Sequence, residues 1–253
     1  MKSIIIAKYI FPIIIILLII NFQNIFAQGF DWQKGGRMPY QIPNLYAGIS
    51  LKYSYNSHFG EFNFKENFIE CCKFTEGSGS GFNLGLTTEY WYDSHTALML
   101  DVNFSKINSE FAVRSILPTR GDDFITEYGF NSTLNMINIE SGGRFRILNT
   151  HFSIGGVLRF SALVSSNSEY SEQAISQNVP FERRIIPNGS ISELNSIVIS
   201  PVVTFAYDAQ LGTGYYATPN ISLSYTLNSI IQDESLRRFG VEFGIRIMRS
   251  LKN

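Results

Sequence analysis

Cysteine, tryptophan and histidine are scarce, at two, two and three in 253 residues. The cysteines are the adjacent pair Cys71 and Cys72, far from any histidine, so no Cys/His zinc spacing is present. Charged residues make up 16%, below the ~25% of ordinary soluble domains. With a net charge of −1 there is no basic face for nucleic acid, and no nucleic-acid partner is expected. Phosphate loops, nucleotide fingerprints, Ca²⁺ loops and sequence repeats are missing, so no cofactor is expected. Beyond residue 27 no apolar run approaches the ~20 residues a spanning helix needs.

The one long apolar run is at the start. Lys2 and Lys8 precede Tyr9 to Ile20, broken only by Pro12, and the small-residue site Ile25-Phe26-Ala27 follows. That order is the pattern of a secretory signal peptide over residues 1–27, with cleavage after Ala27. No cysteine lies at the site, so a lipoprotein is not expected. Residues 28–43, with Gly35-Gly36 and two prolines, carry no periodicity and are expected to be an N-terminal periplasmic tail.

What is abundant is aromatic residues, 14%, and alternation. Apolar residues recur at every second position in eight segments: 44–56, 81–91, 96–107, 133–147, 151–165, 194–208, 215–228 and 237–248. The first puts Leu45, Ala47, Ile49, Leu51, Tyr53 and Tyr55 on one face and Tyr46, Ser50, Lys52, Ser54 and Asn56 on the other. The last sets Phe239, Val241, Phe243, Ile245 and Ile247 against Gly240, Glu242, Gly244 and Arg246. The polar face carries Lys52, Arg144, Arg146, Arg159, Arg238 and Arg246 against Glu89, Asp101, Glu140, Asp208 and Glu242, six cations to five carboxylates.

A soluble barrel turns its apolar face inward and a membrane barrel turns it outward. Connection lengths decide between them. Long connections at 57–79, 108–132 and 166–193 alternate with short ones at 92–95, 148–150 and 209–214. Outer-membrane barrels show this alternation, with long extracellular loops and short periplasmic turns. Tyr90, Trp91, Tyr92, Tyr207, Tyr215 and Tyr216 cluster beside the short turns and are expected to form an interfacial aromatic girdle. The expected fold is all-β: an eight-stranded antiparallel up-and-down transmembrane β-barrel over residues 44–249, closed between its last strand and its first.

With these features the chain resembles the outer-membrane β-barrels common in Bacteroidetes, the PorT-like and related small barrels. The resemblance rests on the Ala27-Gln28 signal end, the strand and loop rhythm, and the closing Phe239-Gly240-Val241-Glu242-Phe243-Gly244-Ile245-Arg246-Ile247. It implies outer-membrane location and a link to protein export. One departure is that the last strand ends on Ile247 or Met248 rather than an aromatic, and Arg249 to Asn253 continue past it.

Candidate functional groups are few. The lumen charges Lys52, Glu89, Asp101, Glu140, Arg144, Arg146, Arg159, Asp208, Glu242 and Arg246 are expected to pair and plug a barrel just wide enough for side chains. Cys71 and Cys72 are a candidate disulfide, two free thiols, or bonds to another chain. His58, near Ser57 and Ser54, is the one histidine at the end where lipid-modifying barrels keep a nucleophile and base. No catalytic residue is assigned, and an enzyme is not expected. Gly77-Ser78-Gly79-Ser80-Gly81 reads as a flexible segment, and Arg183 and Arg184 as loop charges able to meet lipopolysaccharide. The expected role is structural, binding or secretion-accessory, through surface loops that meet lipid, lipopolysaccharide or a protein. A narrow channel is the alternative, and a lipid-modifying enzyme follows it.

Overall fold

The computed structural model describes residues 44–66, 69–93, 95–118, 123–147, 150–174, 184–187, 194–212, 214–232 and 234–251. The expected signal peptide and the 28–43 tail lie outside these residues. The strands are β1 (Asn44–Glu66), β2 (Ile69–Trp91), β3 (Thr96–Pro118), β4 (Asp123–Arg146), β5 (Phe152–Ala174), β6 (Arg184–Pro187), β7 (Ile197–Tyr207), β8 (Ala209–Gly212), β9 (Tyr215–Tyr225) and β10 (Arg237–Ser250). Eight of them close a ring in the order β1-β2-β3-β4-β5-β7-β9-β10, and β10 returns to β1. The short β6 pairs with β5 and the short β8 with β9.

The ring is sheared. Following paired residues from Tyr55 through Val241, Leu223, Val203, Gly156, Gly143, Leu98 and Tyr90 leads back to β1 at Leu45, ten residues from the start. Eight strands with that stagger tilt by ~40° and enclose a space that side chains fill. One seam is short. β7 and β9 pair over only Val202↔Ser224 to Ala206↔Asn220, and each of these strands holds a proline, Pro201 and Pro219. A proline donates nothing to a ladder.

Five strands, β1 to β5, are much longer than the alternation suggested. In the stretches expected as loops at 57–79 and 108–132 the described residues carry on the antiparallel pairing, with Phe62↔Phe74 and Phe111↔Phe130 paired far beyond the periodic segments. β5 likewise runs on to Ala174, inside the expected 166–193 loop. Gly77 to Gly81 is strand, not a flexible entry: a Cβ at Gly79 would lie 1.8 Å from the Asn108 carbonyl oxygen, so glycine there lets two strands approach. Gly60, at φ 115°, takes the left-handed backbone of the bulge between Phe59 and Phe62. The hidden extension has a simple cause. Above the belt the outer face changes to Ser57, Glu61, Glu76, Glu110 and Asn131, so an apolar-stripe criterion ends there while the ladder continues.

Outward positions between the turns and this polar region form an apolar belt. Leu51, Tyr53, Leu86, Leu98, Phe145, Phe205 and Phe243 expose about half or more of their surface. Inward positions are buried and mostly polar: Ser50, Lys52, Ser54 and Asn56 on β1 alone. This is the reverse of a soluble protein, whose buried residues are apolar.

Candidate functional site

The interior is built in layers, named here from the end with the short turns. A floor of Tyr46, Trp91, Ala97, Tyr216 and Met248 closes that end. Tyr46 and Tyr216 meet edge-on at 5.6 Å, and the Arg146 guanidinium lies over the Trp91 ring at 4.5 Å. Two members of the expected girdle are therefore misplaced: Trp91 and Tyr216 face the lumen and are at most 2% exposed. Strand parity explains this, since Trp91 points the way Glu89 does and Tyr216 the way Thr218 does. Nearness to a turn does not select a face. Tyr90, Tyr92 and Tyr215 are exposed and Tyr207 is half-buried, so these four remain on the outer rim.

Above the floor lie two ionic clusters. In the lower one Arg144 donates to both Glu89 oxygens at 2.9 Å and pairs with Asp208. Arg146 reaches Asp208 at 3.3 Å. Arg246 bridges Glu89 at 3.3 Å and Asp101 at 3.5 Å. The hydroxyls of Thr87 and Thr218 donate to Asp101 and Asp208, and the Trp91 indole donates to Glu89. In the upper cluster Lys52 and Arg159 meet Glu140 at 3.0 and 2.8 Å, and Arg159 forks onto Glu242 at 2.5 and 2.8 Å. Asn103 donates to Glu140 as well. All ten side chains are nearly inaccessible. The lower cluster holds three cations and three carboxylates, the upper two and two, so each is neutral. Such pairing offsets part of the cost of burying charge, and losing one partner would leave the other uncompensated.

The next layers are apolar. Ile107, Leu134, Met136, Val198 and Ile230 pack together, and above them Phe62, Phe74, Phe111, Phe130, Tyr170, Ile231 and Leu236 form an aromatic plug. Phe62 touches Phe74, Phe111 and Phe130 with ring centroids 5.0–5.6 Å apart. The β9–β10 connection is not a surface loop. It folds inward, places Ile230, Ile231 and Leu236 in the mouth, and bonds across it through Asn195 N to Ile230 O and Ser235 N to Glu61 O. No alternation marks this insertion in the sequence. An isolated Ile-Ile pair between polar residues was its one signal.

His58 sits at the foot of the plug, just beyond the apolar belt, 2% exposed. Its Nε2 is 2.8 Å from Ser109 Oγ, a partner on β3 rather than the nearby Ser57 or Ser54. Burial and the neighbouring Arg238 guanidinium hold its pKa down to about 3, so the ring is neutral. Nδ1 has no partner, and the adjoining cavity is about 20 Å³, room for about one water. Among the described residues no carboxylate reaches Nδ1 to orient the ring, and His58 also borders the hollow of about 770 Å³ that opens between the hairpins. His95 is exposed in a turn, and His151 packs against Tyr207 at the opposite end of the ring. Cys71 and Cys72 fall in β2, with side chains outside the described set, and Arg183 lies outside it too. Among the described residues no group of three metal-ligating side chains converges.

Two larger hollows lie on the outside. A groove of about 520 Å³ beside the β7–β9 seam is lined by Ile147, Phe152, Phe205, Pro219, Ile221 and Phe243, within the apolar belt. A second, of about 770 Å³, opens between the two long hairpins, because β2 and β3 stop pairing at Gly77↔Phe111 while each hairpin runs on. Its outer rim carries Glu76, Glu110 and Glu127, of which Glu127 accepts from Arg114 at 2.9 Å.

No protein-family model matches the chain, and no curated protein sequence matches it. Among solved structures it is similar to Ail of Yersinia pestis, crystallised with the heparin analogue sucrose octasulfate, at 15% identity over 81% of this chain and 99% of that one (TM-score 0.34). It is similar to OprG of Pseudomonas aeruginosa at 9% identity over 85% and 100% (TM-score 0.39). The outer membrane protein AlkL is similar at 8% identity over 85% and 92% (TM-score 0.41). At these scores the likenesses carry no argument about ligand or activity; the closed eight-stranded wall rests on its own register, and its apolar belt and ionic interior are those of a barrel that crosses a membrane through its strands.

Proposed function

We propose that this protein is an outer-membrane barrel of the closed, non-catalytic kind, whose work is done by the two long hairpins above the membrane. The observation that carries this reading is the filled lumen. Two neutral ionic clusters, an apolar layer and an aromatic plug cross the bore one above another, so the wall supports a platform rather than a path. Lipid and lipopolysaccharide surround the belt. The hairpin faces, polar and stiffened by a continuous ladder, hold a protein partner in a structural or secretion-accessory role. The link to export comes from the PorT-like resemblance.

The test has three arms. The protein is followed by outer-membrane fractionation and by its gel shift with and without boiling, where a heat-dependent shift in the outer-membrane fraction is expected. In planar bilayers it is expected to be silent; steady single-channel steps would favour the channel reading. A photo-crosslinker placed at Glu76 or Glu110 is expected to trap one protein on intact cells. Without any adduct the platform reading has no content.

A further inference from the structure

The six-to-five imbalance of lumen charges has an address. Ten of the eleven groups fall into the two neutral clusters, and the one left over is Arg238. Its side chain is 3% exposed, and Nη1 is fully buried without a hydrogen-bond partner. Among the described residues no carboxylate pairs with it: Glu242, whose field it feels, has both oxygens on Arg159. A guanidinium keeps its proton at any physiological pH, so this charge cannot be relieved by titration.

The wall beside it is unusual. Allowing for the ten-residue stagger, the inward positions just below Arg238 are Ser54, Gly81, Ser105, Ser161, Ser200 and Gly240, all small, on six of the eight strands. Three of these hydroxyls, on Ser105, Ser161 and Ser200, are buried with no partner. Buried hydroxyls without partners on three strands of this layer, and an uncompensated positive charge in the layer above, lack an acceptor that carries negative charge. The side chains of this ring are a hydroxymethyl group or a hydrogen atom, so none of them reaches far toward the axis. Above, Ile107, Met136 and Val198 seal the layer with apolar groups that accept nothing.

We infer that this serine-walled layer is a binding site for one small inorganic anion of about chloride size, paired with Arg238 and held by the hydroxyls of Ser105, Ser161 and Ser200. The ion completes the electrostatics of the lumen and is a folding ligand rather than a transported one. The inference stands apart from the proposed platform role.

The full-length mature barrel is unfolded by urea in detergent micelles at constant ionic strength, with sodium chloride or with sodium gluconate, whose anion is too bulky for the site. Chloride is expected to raise the midpoint in a saturable way. At ten times its Kd the unfolding constant falls about eleven-fold. Arg238→Met is expected to abolish the difference between the salts. Equal midpoints in chloride and gluconate for the wild type overturn the inference, as does a chloride effect that survives in R238M. Crystals of the wild type soaked in bromide give an answer that does not depend on the variant folding. An anomalous peak within hydrogen-bond reach of Arg238 is expected, and a bromide-free layer refutes the site.

Discussion

Replacing Glu140 by glutamine is the sharpest test of the claim that the lumen is a paired network rather than a collection of buried charges. Glu140 accepts from Lys52, Arg159 and Asn103, at 3.0, 2.9 and 3.1 Å. Glutamine keeps the shape and one acceptor oxygen but turns the other position into a donor facing Lys52. Lys52 then keeps the uncharged Oε1 at 3.2 Å, and the one carboxylate still near it is Glu242 at 3.9 Å. Removing one partner of a buried ionic group costs ~3–5 kcal/mol, because the other charge stays desolvated. The unfolded chain in urea is in water, so that whole cost enters the measured stability. Urea titration in micelles, followed by Trp91 fluorescence and by the unboiled gel band, reads it directly. The double variant Lys52→Met/Glu140→Gln leaves Arg159 with Glu242 as a neutral pair, so the second change is expected to recover ~2 kcal/mol of the first. A loss under ~1 kcal/mol for E140Q, or strict additivity in the double variant, refutes the network.

Phe111→Ala removes a ring in contact with Phe62, Phe74 and Phe130, and is expected to cost ~3–5 kcal/mol in the same titration. Trp91→Phe is expected to weaken the floor through the lost bond to Glu89 and poorer stacking of Arg146, and a variant as stable as wild type counts against an inward Trp91. For His58 the folded pKa of about 3 lies below the unfolded value of 6.5, so its contribution is complete above pH 6.5. That contribution is expected to decline by about 1.4 kcal/mol per pH unit as pH falls from 6.5 toward 3. His58→Gln should flatten this part of the pH profile. Arg159→Ala and Glu242→Ala are each expected to lower stability while bilayers stay silent, since the plug is untouched.

How much of this was legible follows from periodicity. In β1 and β10 strict alternation names both faces, so Lys52, Glu242 and Arg246 could be placed on one face from spacing, and inward once the connection lengths had chosen a membrane barrel. Trp91 and Tyr216 show the limit of composition: turn-proximal aromatics suggested a rim, while counting by twos from Glu89 and Thr218 puts both inside. The hairpin extensions were hidden because their outer face is as polar as any loop, and the buried partners Phe62, Phe74, Phe111 and Phe130 lie too far apart in the chain to form a local pattern. Ser109 could not be assigned to His58 without the β1 to β3 geometry. The excess cation was countable in the sequence, but only the ion pairs show that it is Arg238.

The short seam between β7 and β9 makes the cylinder mechanically uneven. Seven of its eight joints are zipped over ten residue pairs or more; this one has five between β7 and β9 and, past an interruption, three more from β8, with Pro201 and Pro219 beside it. A barrel stressed from outside does not loosen uniformly. It parts where the fewest bonds must be given up, and the two halves then swing as stiff blades about the joints that remain. Above the paired stretch, Asn228 stitches its side chain to the backbone of Ile197 and Ile199, a clasp made by a residue that belongs to no strand. Amide exchange would therefore be fastest along this line, and the clasp sets how far up the wall a tear can run.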